Sequence, residues 1–205
     1  MVPDYWQQAT RELGKRDRVM KKLIAAYPQI TLRSRGDAFS TLARSIVGQQ
    51  ISVKAADSVW KKLVANVPAI TPTAIGASNT EAMRSCGLSA SKAVYLQDLA
   101  RHFNEDRLVI GQWPSMSDDA LIAELTQVKG IGRWTAEMFL IFYMLRPDVL
   151  PLADIGLQRA IGLHYNGGAA FDKAEIVTLA ERWQPWRSVA TWYLWRSLDP
   201  LPVEY

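Results

Sequence analysis

The sequence predicts an all-α protein. Apolar residues recur at helical spacing from end to end. Most of these runs follow a side chain that can cap a helix, and no stretch shows a β-hairpin signal or a strand alternation that outlasts a helical alternative. The 205 residues suit one compact domain or two subdomains sharing a cleft. With 49% hydrophobic and 21% charged residues, the chain can build a full core and is not composed like a disordered one.

Pro3 suits a first helical turn. Trp6, Ala9, Leu13, Met20, Leu23, Ile24 and Tyr27 then continue one apolar run that Pro28 stops. Asp37 caps a predicted helix carrying Phe39, Leu42, Ile46 and Val47, and Ser52 caps the next, with Val53, Ala56, Val59, Leu63 and Val64. Thr71-Pro72 opens a short helix, and Asn79 opens another that ends at Gly87. Ser89 caps a long helix with Ala93, Leu96, Leu99, Ala100 and Phe103, and Ser117 opens one with Leu121, Ile122 and Leu125. Arg133 to Leu145 is apolar on most sides, which predicts a buried helix ended by Pro147. Asp154 precedes another helix, and two more are expected over about 172–183 and 186–197.

Cys86 is the only cysteine, which excludes an intrachain disulfide, a cysteine-clustered zinc site and a four-cysteine iron–sulfur cluster. The longest apolar run, Met138 to Leu145, is too short to span a bilayer. The N-terminus lacks a signal-peptide pattern, so a soluble cytoplasmic protein without membrane contact is expected. The net charge is +4, and residues 1–35 alone carry +5. That balance suits a polyanionic partner, although the N-terminal run itself reads as a solvated helix face. His102 and His164 have no partner at metal-ligand spacing and receive no role.

The most informative segment is Leu125-Thr126-Gln127-Val128-Lys129-Gly130-Ile131-Gly132-Arg133-Trp134-Thr135-Ala136. One helix enters it and a hydrophobic helix leaves it. Gly130 and Gly132 permit backbone angles and close approaches denied to other residues. The unpaired amides opening the second helix, with its dipole, make a phosphate site that holds register without reading sequence. A plain helix–turn–helix corner is the competing reading of the glycines alone. Asp154 likewise admits two readings, an ordinary N-cap or a reactive carboxylate.

The longer string resembles the helix-hairpin-helix of the DNA glycosylase superfamily, in its 3-methyladenine DNA glycosylase II branch. Three further segments match in order. Phe39 to Lys62, with Ile46-Val47-Gly48-Gln49-Gln50-Ile51-Ser52, resembles the helix pair that opens the branch. Leu150-Pro151-Leu152-Ala153-Asp154 has the spacing of the family's catalytic aspartate. Ala180-Glu181-Arg182-Trp183-Gln184-Pro185-Trp186-Arg187-Ser188 resembles the branch near its C-terminus.

The resemblance implies a single helix-hairpin-helix glycosylase unit over 1–205. Its two helical subdomains would flank a cleft, about 37–130 forming one and about 1–36 with 131–205 the other. It implies hydrolysis of the N-glycosidic bond of alkylated bases in double-stranded DNA, by a monomer associated with the nucleoid when on DNA. Asp154 would stabilise the sugar cation and guide water. A base such as 3-methyladenine is already cationic and leaves neutral, so no second carboxylate is required. Trp134 stands where bifunctional relatives place the Schiff-base lysine, which implies an intact abasic product.

Trp134, Trp195, Met138 and Gln49 would line the base pocket, the indoles favouring a cationic ring. Arg196 and Met138 stand where the larger bacterial relative has tyrosines. Lys129, Gly130, Ile131, Gly132, Arg133 and Thr135 would meet DNA, and Leu88 or Ala90 would fill the gap left by a flipped base. No cofactor is required. The carbonyls of Thr126, Val128 and Ile131 would hold a sodium or potassium ion. A non-catalytic DNA-binding module and a glycosylase for deaminated or mismatched bases are the alternatives.

Overall fold

The computed structural model describes residues 2–28, 31–34 and 36–198, and among these there are helices and no strand. The α-helices run in order as α1 (Trp6–Arg16), α2 (Arg18–Ala26), α3 (Ala38–Gly48), α4 (Val53–Asn66), α5 (Pro72–Ala77), α6 (Thr80–Ser85), α7 (Ala90–Asn104), α8 (Asp118–Leu125), α9 (Arg133–Phe142), α10 (Ile155–Tyr165), α11 (Lys173–Ala180) and α12 (Arg187–Leu198). Asp37, Ser52, Thr71, Asn79, Ser89, Ser117, Asp154 and Asp172 each accept a first-turn amide of the helix that follows. Such a cap stabilises its helix by about 1 kcal/mol.

Two compact units divide the chain. One comprises Met1–Ser34 with Leu140–Glu204, the other Arg35–Phe139. The division falls inside α9. Three expectations need correction. The first run is two helices rather than one, because Asp17 leaves helical angles (φ −138°, ψ 120°) and caps α2 through the Val19 and Met20 amides. Pro3 precedes α1 instead of lying in it. The helix expected to reach Leu145 stops at Phe142; Leu145 takes a left-handed backbone (φ 54°) and the Arg146 amide donates back to the Leu140 carbonyl at 2.9 Å. A 3-10 helix over Ile110–Ser115 was not expected from periodicity.

In the Arg35–Phe139 unit, α7 packs against α3, α5 and α6. Its core carries a relay of edge-on rings, Phe39 to Phe103 to Trp113 to Phe139, with centroids 5.2, 6.4 and 5.5 Å apart. In the other unit, α12 is buried continuously from Ser188 to Leu194 and packs on α10, α2 and α1. Asp17 ties this unit together: Tyr165 and Trp183 both donate to its second carboxylate oxygen, at 2.8 and 3.1 Å. No helix among the described residues is long and apolar enough to cross a membrane.

Candidate functional site

The glycine hairpin joins α8 to α9 and is seated on α7. Val128 and Ile131 are buried, and the Ile131 amide closes the turn on the Val128 carbonyl at 3.0 Å. The Lys129 amide donates to the buried Asp98 carboxylate at 2.9 Å, leaving the Lys129 side chain exposed. Gly130 has φ +83°, and a Cβ there would collide with the Tyr95 ring. Gly132 is different: no heavy atom lies within 4 Å of its would-be Cβ. Its carbonyl accepts the Ala136 amide at 3.0 Å and starts α9. Burial works against the charge of Asp98. The Lys129 amide, Arg101 and His102 outweigh it and hold the carboxyl below the usual aspartate range.

Gln49, expected to line the base pocket, is half-buried beside the hairpin. Its amide donates to the Gly130 carbonyl at 2.7 Å, so it braces the hairpin. Lys92, at the start of α7, holds the end of α3 where Gln49 sits, donating to the Val47 and Gln49 carbonyls at 2.8 and 2.7 Å. Burial pushes its amine below the usual lysine range. Gln50 follows in a left-handed conformation (φ 58°) and is exposed, as is Ile51.

Trp134 opens α9 at 36% exposure. Two neighbours depart from expectation. Met138 and Thr135 lie on the inward face of α9 and are buried, so neither side chain reaches a ligand surface. Arg133 is exposed, yet its guanidinium is shared between Glu137 at 3.0 Å and Asp119 at 3.3 Å. In the turn before α7, Leu88 is buried in the core while Ala90 is exposed. Leu88 is therefore a packing residue: the apolar chain gains more from the core than from solvent.

In the other unit Asp154 is half-buried at the N-terminus of α10. Its Oδ1 accepts the Leu157 amide at 2.6 Å and the Trp195 indole N–H at 2.8 Å. The loop that delivers it is pinned to the start of α12. Arg187 forks onto Asp148 at 2.8 and 2.9 Å, Ser188 Oγ accepts the Val149 amide at 2.9 Å, and the Ser188 amide donates to the Pro147 carbonyl. Trp195 lies parallel to Phe142. Arg196 is buried over the Trp192 ring, 4.4 Å from its centroid. Ile155, beside Asp154, is 79% exposed. Its position off the apolar period of α10 is the signal that could have singled it out, whereas Tyr95, Lys92 and Asp98 carry no local signal for their roles.

Thr126, Val128 and Ile131, whose carbonyls were expected to hold an alkali cation, lie between α8 and α9. The Val128 carbonyl retains a second lone pair beside its hydrogen bond to Ile131. Among the described residues no group of three His, Cys, Asp or Glu is arranged for a metal ion.

The pattern of the HhH-GPD superfamily base excision DNA repair proteins matches residues 43–187. The DNA-3-methyladenine glycosylase 1 of Schizosaccharomyces pombe is 32% identical over 185 residues, covering 86% of this chain and 79% of the relative. A Bacillus halodurans DNA-3-methyladenine glycosidase structure superposes with TM-score 0.83 at 31% identity, over 92% of this chain and 87% of that one. The S. pombe 3-methyladenine DNA glycosylase in complex with abasic DNA gives TM-score 0.82 at 29% identity, over 97% and 99%. The matched stretch contains both the hairpin and Asp154, and the chain belongs to the HhH-GPD superfamily of base excision DNA repair proteins.

Proposed function

We propose that this chain is a monofunctional DNA glycosylase that hydrolyses the N-glycosidic bond of alkylated bases such as 3-methyladenine in double-stranded DNA, acting as a monomer. The observation that carries the reading is the Asp154 carboxylate, held at the start of α10 by the Leu157 amide and the Trp195 indole. Relatives named 3-methyladenine glycosylases support the substrate class.

Bond cleavage builds positive charge on the deoxyribose, and a fixed anion lowers its energy while orienting water. The alkylated purine leaves neutral, so Asp154 needs no partner acid. The amides opening α9, the exposed Lys129 and the open face of Gly132 would grip phosphate. An alkali cation on the Thr126, Val128 and Ile131 carbonyls would add positive charge there. With Leu88 in the core, Ala90 or the larger Gln50, exposed in a turn tied to the hairpin through Gln49, would fill the gap left by the flipped base. Trp134 supplies no amine for a Schiff base, so the product is an intact abasic site.

The test is base release from a 3-methyladenine duplex by wild type and Asp154→Asn. The substitution is expected to keep DNA binding and to slow single-turnover release by about a hundredfold or more. Borohydride should trap no covalent complex. Unchanged release by Asp154→Asn overturns the catalytic assignment, and absence of free base with wild type leaves a DNA-binding module.

A further inference from the structure

Trp195 offers Asp154 more than a neighbouring ring. Its indole N–H reaches Asp154 Oδ1 at 2.8 Å, across 41 residues of chain. The ring is held for that purpose, lying against Phe142 with centroids 5.7 Å apart and planes 10° apart. Gly156 keeps the bond unobstructed: a Cβ there would come within 3.1 Å of Asp154 Oδ1 and 3.4 Å of Trp195 Cδ1. The loop carrying Asp154 has its own anchor, Arg187 on Asp148 and Ser188 on Val149. The loop and the carboxylate thus have different contacts from α12, and the carboxylate also accepts the Leu157 amide of α10. The Leu157 amide and the Trp195 indole meet the same oxygen, and the indole narrows the carboxylate's tilt and directs how the anion meets the sugar, at no reorganisation during reaction.

We propose that Trp195 is a positioning residue for glycosidic cleavage, acting through its indole N–H on the Asp154 carboxylate. The inference rests on the reading of Asp154 as the catalytic carboxylate. A ring that served only as a wall of the base pocket would act independently of Asp154, which gives the test its discrimination.

The experiment is a double-mutant cycle on single-turnover base release from a methylated duplex, using wild type, Trp195→Phe, Asp154→Asn and the double variant. Trp195→Phe keeps the stack on Phe142 and deletes the donor. A hydrogen bond to a charged group sets the expected loss at roughly ten- to hundredfold in rate. DNA affinity should change by less than about twofold. In the Asp154→Asn background the same change should cost nothing further, since the Asn oxygen can still accept the indole N–H but the anion that the bond positions is gone. A wild-type rate for Trp195→Phe beside a crippled Asp154→Asn overturns this inference and leaves the catalytic reading standing. So does an equal loss in both backgrounds. Wild-type release by Asp154→Asn overturns the catalytic reading and this inference with it. A second measurement needs no change at Trp195. The indole ¹H–¹⁵N resonance of Trp195 should exchange slowly with solvent and move on Asp154→Ala; an unmoved resonance rejects the hydrogen bond even if Trp195→Phe does not fold.

Discussion

Gly130 and Gly132 stand two residues apart and are glycine for different reasons. Gly130 combines a left-handed backbone with the Tyr95 ring against its α-carbon, so its requirement lies within the folded chain. Gly132 has open space where a side chain would go, so no neighbouring atom requires a glycine there, and under the proposed function the requirement is the approach of a phosphate. The two alanine variants should therefore separate. Gly130→Ala should lower stability by about 1–3 kcal/mol and drop the melting temperature. Gly132→Ala should cost about 1 kcal/mol or less in thermal melts. It should weaken duplex binding roughly tenfold, because a methyl group blocks the closest approach of a phosphate to the α9 amides. A Gly132→Ala variant with intact affinity would remove the hairpin from the binding surface.

At the scale of elements, the hairpin adds contacts from α7 to its own closing hydrogen bond. Tyr95, Asp98 and, through Gln49, Lys92 hold Gly130 and Lys129 from one helix face. The Asp98 carboxyl is held below its ordinary range, so its stabilisation is complete above the unfolded pKa near 3.8 and is lost as pH falls through the lower folded value. Asp98→Asn should therefore destabilise the protein at neutral pH. The difference from wild type should shrink only below about pH 4 in acid-unfolding curves; a gap that closes already near pH 6 would assign the stabilisation to another group. The same scale explains the break at Asp17. Periodicity carries straight through it, but a buried carboxylate with four donors, the Val19 and Met20 amides, the Tyr165 hydroxyl and the Trp183 indole, fixes the chain outside the helix.

For the whole molecule, the surplus of positive charge gives the expected partner but not the place where it binds. The N-terminal helices hold most of it on exposed residues such as Lys21 and Lys22, and this reads as a solvated face. Each phosphate contact contributes about −0.9 to the slope of log affinity against log salt. Lys21→Gln with Lys22→Gln should leave that slope unchanged, whereas Lys129→Gln should flatten it by about one contact. A flatter slope for the α2 pair, read by fluorescence anisotropy on an undamaged duplex, would extend the DNA-binding surface to the N-terminal helices.

The amino-acid sequence by itself determined the helical class, the caps and the hairpin, because each depends on residues within about one helical turn of each other. It also determined the family, through four motifs in fixed order. Only the tertiary structure decided which way the side chains of those motifs face. Gln49 gave its amide to the hairpin carbonyl 81 residues away, Leu88, Met138 and Thr135 went into the core, and Trp195 committed its N–H to Asp154 41 residues away. Those outcomes follow from packing between helices distant in sequence, where one rotamer satisfies both burial and a buried donor, and no local pattern encodes that choice.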